Sequence, residues 1–231
     1  MSELAREPSA QGLWDALGTV RDPELDRPIT ELGFVREAVV VRGHAHVRLR
    51  LPTYFCAPNF AYLMVADAHD AVAALPDVST VDVQLEDHFA AAEINAGVAG
   101  GAGFAGSFPG DADAELDELR LTFRRKAYLA SLDRLAMGLA DLDPVGCSLG
   151  DVPASPELDA VLRRRAELGL PCDPGSPLLL DEHGRPIGAA EAPLRLRFAR
   201  AVRVSIDGNA GFCRGLLHTR YPEAVTNQMA N

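Results

Sequence analysis

The sequence predicts a small α/β sandwich of the α+β kind, with an antiparallel hairpin in a mixed sheet, followed by a mainly α-helical C-terminal domain. Three observations predict it. Apolar residues alternate with polar ones at strand period in residues 39–51 and again in 80–86. Between these strands, residues 61–75 carry Leu63, Met64, Ala68, Val72 and Leu75 on one helical face. Glycine then crowds residues 95–110, and beyond it the apolar residues recur mainly at helical spacing. The expected division is a first domain over 1–92, a flexible Gly-rich linker over 93–112 and a helical domain over 113–231.

Each element has a local reason. Leu13, Trp14, Leu17 and Val20 mark a short amphipathic helix that stops before Asp22-Pro23, because proline drives the preceding residue out of helical space. The polar stretch to Pro28 reads as a structured loop. In the hairpin, Val47, Leu49 and Leu51 alternate with His46, Arg48 and Arg50, and Arg42-Gly43 stands where the chain must reverse. Val81, Val83 and Leu85 alternate with Asp82 and Gln84 in a third strand. In the second half, residues 114–140 form a long helix with an acidic start. Ser155-Pro156 caps another helix that Gly169 closes. Residues 178–186 read as a strand and turn, residues 194–206 as a helix, and 209–221 as a separate final one.

Composition narrows the function classes. The 231 residues are 48% hydrophobic and 24% charged, which suits a folded core. A net charge of −11 repels phosphate backbones and anionic lipid, so nucleic-acid and membrane-surface roles are not expected. No apolar run reaches the roughly 20 residues a bilayer requires, and the first residues lack signal-peptide order, so the expected location is the cytoplasm. Cys56, Cys147, Cys172 and Cys213 are scattered without a C-x-x-C pair, which argues against a disulfide framework. Arg195, Arg197, Arg200, Arg203, Arg214 and Arg220 form a local basic excess, read as solvated or docked on acidic segments of this chain or a partner.

The chemistry concentrates in Thr53-Tyr54-Phe55-Cys56-Ala57-Pro58, between a strand end and a helix start. Free N–H groups and the positive end of a helix favour a thiolate there, the form that ligates metal or attacks an electrophile. His44 and His46 share a strand face but have no third ligand placed by the sequence, and they read as solvated. His69, Asp70, Asp87 and His88 read as surface residues at element ends. Cys147, Cys172 and Cys213 stand as candidate further ligands from the second half, but their flanks specify no metal geometry and do not choose among them.

Four features in order then carry a resemblance: Asp22-Pro23-Glu24 after a short helix, Ile29-Thr30-Glu31-Leu32-Gly33-Phe34-Val35, the hairpin, and a Thr-x-x-Cys loop opening a helix. Residues 10–90 resemble the iron–sulfur cluster assembly domain family, once a domain of unknown function, which includes SufT-like and PaaD-like proteins. Where the family usually has Gly before the cysteine this chain has Phe55, and its Cys-Pro pair is opened to Cys56-Ala57-Pro58. The resemblance implies an accessory factor for iron–sulfur or iron cofactor assembly, not an enzyme, with Cys56 and Glu24 as metal ligands. Asp22 and Thr53 complete the cofactor-binding set. It implies a transient iron–sulfur cluster or iron as cargo, because one cysteine cannot supply the four ligands a cluster normally takes. The implied partners are a client metalloprotein, in the PaaD-like branch an iron-dependent oxygenase, or cluster-assembly proteins, with a homodimer as one way to complete the ligands. Two rival readings are a metal-independent adaptor for a multicomponent oxygenase and a thiol enzyme with Cys56 as nucleophile and His44, His46 or His88 as base.

Overall fold

The structure of the chain, a computed structural model, describes residues 10–108, 113–139 and 143–222. The chain forms two compact units: Met1–Asp117 with Asn209–Asn231, and Glu118–Gly208.

In the first unit, α1 (Ala10–Thr19) buries Leu13 and Leu17 and leads into a two-residue hairpin of β1 (Arg21–Asp22) and β2 (Arg27–Pro28). The three-stranded sheet has the order β3-β4-β5. β3 (Val35–Val41) and β4 (His44–Arg50) pair antiparallel, with a bulge between Val35 and Glu37. Arg42 and Gly43 both take positive φ, 52° and 78°, the signature of a tight hairpin turn whose twist matches the strands it joins. β5 (Thr80–Glu86) runs parallel to β4 from His44↔Thr80 to Arg50↔Glu86. Parallel neighbours need a crossover, and α2 (Pro58–Ala73) supplies it.

Strand alternation sends Ala45, Val47, Leu49, Val83 and Leu85 to the helices and leaves His44, His46, Asp82 and Gln84 on the other face. The inner residues meet Leu13, Leu17, Ala61, Val65, Ala68 and Val72 in one core, which also takes in Ile29, Leu32 and Phe34 from the segment before β3. The α+β class and the three main strands therefore stand as the sequence predicted them.

Over its described residues, 93–108, the expected linker is mostly helical, and residues 109–112 lie outside the described residues. Its residues form α3 (Ala91–Ala99) and α4 (Gly103–Ser107). Ile94 is fully buried, and Phe104 packs edge-on against Tyr62 with ring centroids 5.3 Å apart. That burial offsets the roughly 1 kcal/mol each helical glycine costs relative to alanine. The glycines serve close packing: a Cβ on Gly97 would run into Ser107, and Gly101 and Gly103, at φ +62° and +71°, turn the chain between the helices.

The second unit packs residues 118–138 of α5 (Asp113–Gly138) with α6 (Pro156–Glu167) and the first turns of α7 (Ala192–Arg220). Its core gathers Tyr128, Leu132, Leu135, Val161, Leu178 and Ile187. Ser155 caps α6 by accepting the Leu158 N–H. Arg165 is fully buried, and its guanidinium donates to the carbonyls of Pro171, Pro177 and Leu178. Asp181 accepts the N–H groups of His183 and Arg185 and the Arg185 side chain and closes the predicted turn, but the expected strand is reduced to an isolated bridge between Leu180 and Pro186.

Two helices were expected where α7 runs unbroken for 29 residues. Ile206, Ala210 and Leu217 keep one face buried past Gly208, and no proline interrupts them. The final residues also depart from the expected boundary. Ala210, Cys213, Leu217 and Tyr221 pack on the core of the first unit.

Candidate functional site

The site assembles from three pieces of the first unit: the β1–β2 hairpin, the loop before α2 and the last turns of α7. The hairpin owes its shape to Asp22. Its Oδ1 accepts the N–H groups of Glu24 and Leu25 at 2.9 and 2.8 Å, the side-chain turn that Asp makes two and three residues on. Pro23 presets the corner. Asp22 is 7% exposed, and burial pushes its carboxyl up to about 6; the two N–H donors oppose this and the Glu24 charge adds to it. One oxygen is thus committed to the backbone, so Asp22, expected to bind cofactor, holds the turn that presents Glu24. Glu24 is half-buried, and its Oε1 accepts from the Asn209 amide of α7 at 3.4 Å.

Leu51 and Pro52 stay buried just past β4, and Pro58 at the first position of α2 starts a helix where its missing N–H costs nothing. The loop between them is tied down by its own backbone. Phe89 N–H donates to the Tyr54 carbonyl at 3.0 Å, and His88 Nε2 donates to the Cys56 carbonyl at 2.7 Å. His88 Nδ1 accepts the Ala90 N–H, which assigns the ring proton to Nε2. Burial holds the imidazole below its ordinary range, Arg220 acts the same way, and the Cys56 carbonyl opposes both.

Thr53 Oγ1 and Cys56 Sγ share a 3.1 Å hydrogen bond in which either group can donate. Cys56 is half-buried against the core, while its neighbours Tyr54, Phe55 and Phe89 are 55%, 74% and 49% exposed. Tyr54 and Phe89 lie with ring centroids 6.3 Å apart. The sulfur therefore sits beside an exposed aromatic rim.

The third piece singles out Cys213 among the three further cysteines, a choice the sequence did not make. Cys213 is half-buried on the same core as Cys56. Burial pushes its thiol up to about 11, and the fields of Asp22, Cys56 and Glu24 push the same way. The α7 end is clamped on both sides of Cys213. Asn209, one turn before it, holds Glu24, while Arg220 donates to the carbonyls of Leu51 and Asp87 at 3.1 and 2.6 Å. Tyr221 OH donates to Asp87 at 2.8 Å, and the Arg50 guanidinium lies 4.6 Å from the Tyr221 ring centre.

His88, read as a surface residue, is 5% exposed, because both ring nitrogens serve the loop backbone. His44 meets Thr80, and His46 meets Asp82 Oδ2 at 3.4 Å, on the sheet face away from the helices. Cys147 and Cys172 belong to the second unit, where Cys172 donates to the carbonyls of Leu162 and Leu170. All four cysteines are free thiols. Among the described residues, no three His, Cys, Asp or Glu side chains converge as a ready metal cage. Cys56 and Glu24, expected as ligands, therefore have no third such group completing a cage. Arg195 pairs with Glu182, and Arg203 with Asp133 and Asp207, so part of the basic excess docks on the chain's own acids. No helix among the described residues is long and apolar enough to cross a membrane.

No curated protein matches the chain. Residues 11–83, which contain Asp22, Glu24, Thr53 and Cys56 but not His88, Asn209 or Cys213, match the family model described as iron-sulfur cluster assembly protein, so this segment is similar to proteins of iron–sulfur cluster assembly.

Proposed function

We propose that this protein is an accessory factor that takes up iron or an iron–sulfur cluster at Cys56 and delivers it to a client metalloprotein. One observation carries the reading. Inside the matched segment, a half-buried thiol is held on a loop whose backbone is pinned at Tyr54 and Cys56 and whose exposed aromatic side chains form a rim, and the same segment carries the Asp22-Pro23-Glu24 hairpin. A soft thiolate suits iron–sulfur cargo, and an incomplete ligand set lets the cargo leave. Thr53 is within hydrogen-bond reach of the sulfur, Asp22 shapes the hairpin, and Glu24 stands as an additional oxygen ligand. The PaaD-like resemblance points to an iron-dependent oxygenase as client, with the Tyr54, Phe55 and Phe89 rim as its docking surface.

The reading is non-enzymatic. Both nitrogens of His88, the histidine nearest the loop backbone, are engaged by backbone groups, which leaves no lone pair for a Cys56 proton. The exposed rim also favours a second reading, a metal-independent adaptor that binds its client through these rings alone. Anaerobic iron and sulfide analysis of wild type and Cys56→Ser, paired with a client-activation assay, decides between them. Cargo and activation both lost in the variant support delivery. Full activation by the metal-free variant overturns it in favour of the adaptor.

A further inference from the structure

The C-terminal helix brings a second sulfur to the same place. Asn209 and Cys213 are four residues apart on α7 and so share a face, and that face is held at Glu24 by the Asn209 amide. Two turns on, Arg220 grips Leu51 and Asp87, the chain segments that flank the Cys56 loop and the His88 that pins it. Ala210 and Leu217 bury the intervening turns in the first unit's core. Cys213 lies between these two anchors, packs on the same core as Cys56, and is close enough to Asp22, Cys56 and Glu24 to feel their charge. No part of the matched segment supplies this thiol.

We infer that Cys213 is a second thiolate ligand, so that each chain offers an iron–sulfur cargo two thiolates, Cys56 and Cys213, and two exogenous thiolates complete the set. The inference rests on the delivery reading above and deepens it. Clusters of this kind are normally held by four thiolates, and this chain brings half. The missing pair has two sources of the same chemistry: the corresponding cysteines of a second copy of this chain, or two molecules of a small thiol such as glutathione. Binding exchanges each S–H for an S–Fe bond and releases one proton per thiol to solvent. No electron is transferred, and release to a client reverses the exchange.

The test uses the full-length protein with Co2+ as a metal probe under anaerobic conditions. Wild type is expected to show a thiolate-to-cobalt charge-transfer band, cut to about half in Cys56→Ser and in Cys213→Ser and absent in the double variant. Circular dichroism checks that each variant folds. Should Cys213→Ser not fold, iodoacetamide footprinting of wild type reads the same contact, with Co2+ protecting both Cys56 and Cys213. An unchanged band in Cys213→Ser, or protection of Cys56 alone, overturns the inference while leaving the delivery reading intact. A band unaffected by either variant overturns both. Native mass spectrometry after anaerobic loading with iron and sulfide separates the sources. Two chains per cluster identify the second copy, and one chain with two small thiols identifies the latter. A monomer that keeps its cluster with no added thiol overturns the ligand count.

Discussion

Asp22 shows how a motif residue is divided between structure and chemistry. Its Oδ1 closes the hairpin turn through two N–H groups while the residue is almost fully buried. Asparagine presents the same carbonyl-type acceptor without the charge, whereas alanine leaves both N–H groups unpaired. Asp22→Asn is therefore expected to keep its stability and its cargo, and Asp22→Ala to lose about 1–2 kcal/mol, read by urea denaturation. A loss of cargo in folded Asp22→Asn would instead assign the carboxylate a ligand role. The Asp-Pro-Glu turn and the Thr-x-x-Cys loop were legible as local patterns because each depends on neighbours within a few residues. Cys213 was not, since nothing in Phe212-Cys213-Arg214 says what that helix face will meet; its anchor, the Asn209–Glu24 contact, spans 185 residues.

At the scale of elements, the glycine-rich segment separates composition from pattern. Ile94, Val98, Phe104 and Phe108 recur at spacings a helix can bury, while the glycines supply the turn and the closest approach of α3 to α4. Gly97→Ala should push its methyl into Ser107 and destabilise the first unit by about 1–3 kcal/mol; unchanged thermal unfolding would contradict this packing. The Asp181 turn in the second unit makes a different prediction. Burial alone would raise its carboxyl, but the backbone donors of Arg185 and His183 and the Arg185 side chain outweigh it and hold the group below 3.8. A depressed folded value contributes stability above pH 3.8 that is lost as pH falls through the folded value. Wild type should therefore exceed Asp181→Asn in stability at neutral pH, with the gap narrowing below about pH 4; a pH-independent gap in chemical denaturation would contradict the charge-based account.

For the whole molecule, the division into units does not follow chain order. The last turns of α7 complete the core of the first unit through Ala210 and Leu217, and they carry Asn209, Cys213, Arg220 and Tyr221 to the site. Leu217→Ala should cost about 2–5 kcal/mol, with faster amide exchange in α1, α2 and the sheet of the first unit as well as in α7 itself. Exchange confined to α7 would show that its end is not part of that core.

By itself the sequence determined the α+β class, the hairpin and its turn, the strand β5, the capped α6 and the loop that carries Cys56. Each of these is set by side-chain period, proline or a cap within a short window, where local sterics and hydrogen bonding decide. Only the tertiary structure decided that the glycine-rich stretch would fold as helices, that His88 would spend both nitrogens on the loop, and that a cysteine from the far end of the chain would pack on the same core as Cys56. Those outcomes depend on which distant apolar faces bury one another, and the burial free energy that selects among such pairings belongs to the assembled core rather than to any local stretch of residues.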